Sequence, residues 1–236
     1  MSTSRAPDHG YPHRNLHGQI VHTIGRQILG GQIRPGEPLK GRDSPAASRT
    51  ALREAIKVLV AKGLVEMRPK TGTRVRPREA WNLLDPDVLA WRQQGSPRGP
   101  FLRNLTEVRG IIEPAAAELA AARAGAVDVA AIEQAYARME AAVSAAGARP
   151  DGDGDGNFEA FVQADTQFHM AILHACRNDL LEQMSRTIYS ALVVSFRATS
   201  RLPGSARASL PRHRAILDAI RAQSPRGAGH AMRRLV

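Results

Sequence analysis

Residues 48–66, SRTALREAIKVLVAKGLVE, constrain the chain more than any other stretch. Leu52, Ile56, Leu59 and Val60 fall at i, i+4, i+7 and i+8, the spacing of one buried stripe on a helix. The opposite side is basic. Ser48 stands where it can cap the helix, and Arg49, Thr50, Arg53 and Lys57 follow in the first turns, where backbone N–H groups and the helix dipole already favour a phosphate. A helix of this kind puts one face into a core and offers the other to a polyanion. The competing reading is a surface helix whose charges are simply solvated.

The distribution of charge favours the polyanion. The net charge is +11 over 236 residues, but residues 1–79 hold 15 Lys and Arg against 6 Asp and Glu, while residues 80–236 hold 18 against 16. The excess is therefore local, at +9 against +2, as in a nucleic-acid-binding module joined to a near-neutral partner. Aromatic residues are 4% of the chain, too few for base stacking on a single strand to be the main contact. With 43% apolar residues, no apolar run near the ~20 needed to cross a bilayer and no signal-peptide core, a soluble cytoplasmic protein without membrane contact is expected. The lone Cys176 fits a reducing compartment.

In chain order, residues 1–15 lack periodicity and are expected to be a disordered tail. Ile20, Ile24 and Ile28, with Val21 and Leu29, predict a first amphipathic helix from Leu16, stopped at Gly30-Gly31. Residues 40–47, KGRDSPAA, carry no apolar stripe and a Pro at 45, so one or two helical turns fit there at most. Gly63 ends the basic helix. Leu64–Met67 and Thr73–Arg76 then flank a basic turn as a β-hairpin. A helix-turn-helix followed by such a hairpin is a winged helix, and Lys70, Thr71 and Gly72 form a narrow cationic tip able to reach a minor groove or its phosphates.

The segment from Trp81 to Trp91 predicts a short helix starting near Asp85-Pro86 and docked on one domain, since two Trp need a surface to cover them. From Phe101 onward Ala, Leu and Ile stripes predict helices at about 101–124, 128–146, 157–175, 178–200 and 208–222, and a last one from Gly227, in an antiparallel bundle. The fold class is thus mainly α: a tail at 1–15, a winged helix at 16–78 with a shortened first helix of its helix-turn-helix, a linker with a docked helix at 79–100, and an all-α domain at 101–236. DGDGDGN at 151–157 starts like a calcium loop, but Val162 stands where a bidentate Glu is required, so a flexible acidic loop is expected.

Asp165 and His169 lie one turn apart on one helix face and can offer a carboxylate oxygen and an imidazole nitrogen to one divalent ion, with His213 closing the site from another helix. By spacing alone, such a pair is more often a surface hydrogen bond. Arg109 and Glu113 leave the same choice open, between an intrahelical pair and a guanidinium that grips an organic acid; Arg197 is a second such cation. Asn178 reads as the cap of the helix after it, and His174, five residues past His169, points elsewhere.

Several spaced motifs in one register carry a resemblance. PGEPL at 35–39, SRTALREAI at 48–56, GL at 63–64 and GTRV at 72–75 resemble the winged helix of GntR-family bacterial transcription regulators. WNLLDPDVLAW resembles the junction of FadR-type members in the branch related to galactonate-operon repressors. EVRGIIEP at 107–114, ADTQFHMAI at 164–172 and HRAILDAI at 213–220 resemble their FCD effector domain.

The resemblance implies a homodimer on double-stranded operator DNA, with contacts from Ser48, Arg49, Thr50, Arg53 and the wing residues Lys70, Thr71 and Gly72. It also implies a divalent metal, Zn or Ni, on Asp165, His169 and His213, and a small carboxylate or sugar-acid effector near Arg109 and Arg197. Leu235 occupies the position where a further His ligand is common, and His230 comes five residues early. The interval from Leu39 to Ser48 is about four residues short of the family form, one helical turn or ~6 Å of axis.

Three functions are compatible with this reading: a bacterial DNA-binding transcription regulator, most simply a repressor and not an enzyme; a metal-dependent all-α enzyme; and a regulator-like ligand-binding protein that has lost DNA binding. The enzyme reading lacks an evident general base or nucleophile beside the three ligands.

Overall fold

Helix α1 (Leu16–Leu29) forms where isoleucines recur every four residues, and Ile20, Val21, Ile24 and Ile28 are buried along one side of it. In the computed structural model the described residues are 16–39, 49–93, 100–147, 154–185, 193 and 205–236. The chain divides into two compact units, Met1–Pro97 and Arg98–Val236, each with its own hydrophobic core. The expected tail at 1–15, the 40–47 segment, Ser48, Arg197 and Asp151–Asp153 lie outside the described residues.

Helix α2 (Arg49–Ala61) packs on α1. Its innermost positions are Ala55 and Leu59, both fully buried, while Leu52, Ile56 and Val60 are half-buried flanks. Of the four large residues that announced the stripe, Leu59 lies at its centre beside Ala55 and the other three flank it. Gly63 ends the helix at φ +73°, and a Cβ there would meet the Ala80 carbonyl at 2.6 Å, so both conformation and space demand glycine.

Strands β1 (Val65–Arg68) and β2 (Gly72–Val75) pair antiparallel, with Val65 opposite Val75 and Arg68 opposite Gly72. Residues 36–39 lie along β2 as a further edge: Gly36 N–H donates to the Val75 carbonyl at 2.8 Å and Leu39 N–H to Thr73 at 2.9 Å. Pro35-Gly36 thus returns the chain from α1 to the hairpin.

Helix α3 (Pro86–Gln93) is fixed to this unit by three kinds of contact. The Trp91 indole N–H donates to His22 Nδ1 at 2.9 Å. Its ring lies over Gly25, where any Cβ would overlap it. Lys62 reaches Asp85 at 2.9 Å and Asp87 at 2.6 Å. Burial alone pushes the Lys62 ammonium down, and the hydrogen bonds and charges of Asp87 and Asp85 outweigh it, holding the group above its ordinary value. Asp85 also accepts from the Asp87 and Val88 N–H groups, capping α3.

The second unit is helical throughout its described residues: α4 (Pro100–Arg123), α5 (Ala126–Gly147), α6 (Gly154–Ala175), α7 (residues 179–185), α8 (Ser205–Arg221) and α9 (Pro225–Leu235). Ala116, Ala117, Ala120 and Ala121 make one face of α4 small enough for close packing, and Phe168, Ile172, Ile132, Met139, Ile216 and Ile220 fill the core beside it. Arg177 bonds Asp128 at 2.6 Å, and Asp128 accepts from Gly125 N–H at 2.9 Å, tying the start of α5 to the end of α6.

Asn178 caps α7 through Leu181 N–H at 3.2 Å. One expectation is corrected: residues 154–157 of the acidic loop are the first turn of α6. Burial of Phe161 and Val162 one to two turns on overrides the low helix propensity of Gly and Asp.

Gly25→Ala forces a methyl into the Trp91 ring and is expected to cost about 1–3 kcal/mol. Trp91→Ala removes the ring itself and is expected to cost roughly 3–5 kcal/mol. Urea unfolding of the intact chain, followed by fluorescence and circular dichroism, checks both as lowered midpoints.

Candidate functional site

The outward face of α2 carries Thr50, Arg53 and Lys57, all exposed, with the Arg53 side chain 72% accessible. Lys57 bonds Glu54 at 2.9 Å, so the acidic residue on this face is already paired by its neighbour. Arg49 begins the helix. At the wing tip Lys70, Thr71 and Gly72 are exposed, with Lys70 at φ 64° and Gly72 at φ +80° closing the turn. Arg74 donates to the Gly36 carbonyl at 3.0 Å and so holds the 36–39 edge.

The second site is built inside the helical unit. Asp165, His169 and His213 are 4%, 3% and 2% exposed, and each offers a ligand atom within 4.8 Å of the others. The i,i+4 spacing on α6 sets Asp165 beside His169, and α8 brings His213 across from it. Edge-to-face packing of Phe168 on His213, with centroids at 5.1 Å, holds that ring in place.

A hydrogen bond decides which nitrogen His213 offers. His213 Nδ1 lies 2.9 Å from the Ser209 carbonyl, which can accept but not donate, so Nδ1 carries the proton. Its Nε2 is then a lone pair 2.8 Å from Asp165 Oδ1, with no hydrogen-bond partner among the described residues. His169 Nδ1 lies 2.9 Å from Glu113 Oε2, and its Nε2 faces Asp165 Oδ1 at 3.9 Å.

The His213 Nε2 lone pair, His169 Nε2 and a carboxylate oxygen converge in a buried space, where an unshared lone pair facing a carboxylate oxygen is unfavourable unless a cation or proton sits between them. The donor set of two imidazoles and one carboxylate suits Zn or Ni and leaves positions open for water or a ligand. Asp165, His169 and His213 therefore fit a divalent ion.

The outer partners lie on α4. Arg109 and Glu113 are both buried; Arg109 Nε bonds Glu113 Oε1 at 2.7 Å, and the other carboxylate oxygen faces His169. Burial pushes the Glu113 carboxyl up, but the His169 imidazole and the Arg109 guanidinium outweigh it and bring it down to about 2. The i,i+4 pair is thus real and more than a pair.

The spacing of Arg109 and Glu113 signalled their contact with each other, and nothing in it signalled His169 as a third member. The Ser209 carbonyl lies one turn before His213 on the same helix, so its nearness follows from the helix expected there, while the rotamer that turns the ring to it has no sequence signal. His174 is exposed and lies 3.4 Å from Glu182, His230 is exposed, and Leu235 packs half-buried at the edge of the core.

Comparison with known proteins adds the following. Residues 16–75 match the family described as bacterial regulatory proteins, gntR family, and residues 104–236 match the FCD domain. The galactonate operon transcriptional repressor of Escherichia coli K12 is 36% identical over 218 residues, covering 89% of this chain and 88% of the relative. The HTH-type regulator YieP of the same strain is 30% identical, covering 88% and 86%. Among solved structures, E. coli McbR/YncC superposes with a TM-score of 0.51 at 18% identity over 93% of each chain, which is a likeness of fold.

Arg109→Met leaves the Glu113 carboxylate buried with one partner fewer and is expected to cost about 3–5 kcal/mol. The double change Arg109→Met with Glu113→Leu removes both charges and is expected to recover most of that loss. Chemical denaturation of the two variants beside the parent protein provides the comparison.

Proposed function

The chain belongs to the GntR family of bacterial transcription regulators and carries an FCD domain, and we propose that it is a repressor that senses a small organic or sugar acid at a metal ion held by Asp165, His169 and His213. Both matched families are regulatory, so the protein is a DNA-binding transcription regulator and not an enzyme. No helix among the described residues is long and apolar enough to cross a membrane, and a cytoplasmic location follows from the role. The named relative at 36% identity represses a galactonate operon, which is the reason for proposing a sugar acid as effector class.

The observation that carries the metal reading is the convergence of His213 Nε2 and His169 Nε2 on Asp165 Oδ1 inside the core. A bound divalent ion supplies Lewis-acid attraction for an effector carboxylate. Zn and Ni are the ions proposed. Arg109 and Arg197 are the proposed effector cations; an acid reaching Arg109 has to share a guanidinium that already holds Glu113.

Operator DNA is proposed to meet Ser48, Arg49, Thr50, Arg53 and the wing residues Lys70, Thr71 and Gly72, within a module spanning 16–78. Two copies of the chain on a palindromic operator follow from the symmetry that such sites need. Effector binding that differs between two arrangements of the heads then changes operator affinity by the difference, commonly about 1–3 kcal/mol.

Arg53→Ala is expected to weaken operator binding by about 1–3 kcal/mol at fixed salt if the side chain reads a base. If it meets a phosphate instead, the loss is uniform across sequences and the salt slope falls by about one; an unchanged gel shift removes Arg53 from the interface.

For the helical domain, sugar acids are expected to raise the melting midpoint of zinc-loaded protein, and His213→Ala to abolish that rise. A rise of equal size in metal-stripped protein would contradict a metal-borne site.

A further inference from the structure

We infer that the flank of the wing is a second contact for DNA: Arg68 and Arg74 line a surface cleft that takes a phosphate of the duplex backbone, and Glu66, on the same face, limits how tightly they hold it. This assignment rests on the proposed operator contact of Lys70, Thr71 and Gly72 and extends it to two arginines off the tip.

The register of the hairpin builds the face. Glu66 stands opposite Arg74, and Arg68 opposite Gly72. Residues directly opposite on antiparallel strands share a face, as do residues two apart on one strand, so Glu66, Arg68 and Arg74 lie together on one side of the sheet. Gly72 adds no side chain there. A Cβ on it would meet no atom within 4 Å, which leaves the space across from Arg68 open. Pro35 and Gly36, where the edge beside β2 begins, and Thr71 of the tip complete a cleft of about 490 Å³.

A guanidinium carries five N–H donors in a planar fork that suits a phosphate. Arg74 uses one of them on the Gly36 carbonyl at 3.0 Å, which fixes its direction. Arg68 meets Glu66 at 2.6 Å with its side chain 60% accessible. An exposed ion pair of this kind is weak, so Arg68 exchanges its partner readily. Two guanidiniums against one carboxylate give the residues lining the cleft a net positive charge.

The openness of the cleft selects the occupant. A small-molecule site encloses most of its ligand. Here Pro35, Gly36, Arg68, Thr71 and Pro77 are exposed, and Glu66 and Arg74 are half-buried. An open cationic surface that reaches the wing tip suits a strand passing across it, held by phosphate and not read by base. Glu66 acts against that contact, because its carboxylate repels a phosphate in the cleft and competes for Arg68. It thereby lowers affinity for all duplexes alike and leaves discrimination to base contacts made elsewhere.

The test uses the full chain and fluorescence anisotropy with two labelled duplexes, one of random sequence and one selected by the parent protein from a random pool. Arg68→Ala is expected to weaken both about five- to tenfold at about 0.1 M salt and to lower the salt slope by about one. Arg74→Gln, whose amide keeps a donor for the Gly36 carbonyl, is expected to do the same. Glu66→Gln keeps an acceptor for Arg68 without the charge and is expected to tighten both duplexes about two- to threefold. Arg138→Ala removes a positive charge from the helical unit, where Arg138 is exposed beside Gln167, and is expected to change neither affinity. Circular dichroism checks that each variant is folded.

Arg68→Ala with the affinity and salt slope of the parent overturns the assignment, as does Glu66→Gln binding no tighter or an Arg138→Ala loss equal to that of Arg68→Ala. A loss on Arg53→Ala in the same assay then leaves the operator reading standing, whereas a parent protein that binds neither duplex overturns both. Free phosphate is the other source of the same chemistry. NMR of the arginine Nε–H groups, with inorganic phosphate titrated at constant ionic strength, is expected to show no saturable shift. A saturable shift with duplex binding unchanged in Arg68→Ala gives the cleft to a free oxyanion and overturns the DNA contact.

Discussion

The contact between Asp165 and His213 is the constraint around which the helical unit is arranged. A carboxylate oxygen and a bare imidazole nitrogen 2.8 Å apart in an apolar interior are tolerable where surrounding groups hold them and a cation or proton joins them. The surroundings supply the holding. The Ser209 carbonyl sets the His213 ring, Phe168 packs against it, and the alanine face of α4 lets Glu113 come within reach of His169 on α6. The polar cluster and the hydrophobic core are therefore one construction, and a change in either is felt in the other.

The first unit solves a different problem, which is to hold a basic surface in place with modest means. Helix α2 buries Ala55 and Leu59 and leaves Thr50, Arg53 and Lys57 outside, so the basic face is backed by the face that meets α1. Helix α3 adds to the same body through Trp91, Gly25 and the Lys62–Asp85–Asp87 cluster. The segment that follows the wing is thereby built into the winged helix.

Membership in the GntR family joins these two constructions into one function. The regulatory mechanism proposed above needs an effector site whose occupancy changes the energy of a structural arrangement. A buried site meets that need better than a surface one, because Arg109, Glu113 and His169 touch one another in a medium where charge interactions are weakly screened.

By itself the sequence determined the division into a basic winged helix and an all-α domain, because periodicity, glycine stops and charge asymmetry are local properties that read directly from the chain. It also pointed to Asp165, His169 and His213, since an i,i+4 pair and a recurring motif are linear patterns. It misplaced the start of α6, where tertiary burial of Phe161 and Val162 outweighs the propensity of Gly154 and Gly156.

Only the tertiary structure decided that Glu113 serves His169 as well as Arg109, that Ser209 offers its carbonyl to His213, and that Trp91 binds His22 over Gly25. Glu113 with His169 and Trp91 with His22 join residues of different helices through a single polar atom, and such contacts depend on how helices pack rather than on any spacing along the chain. Ser209 and His213 are one turn apart on one helix, and there the structure decided only the direction of the ring.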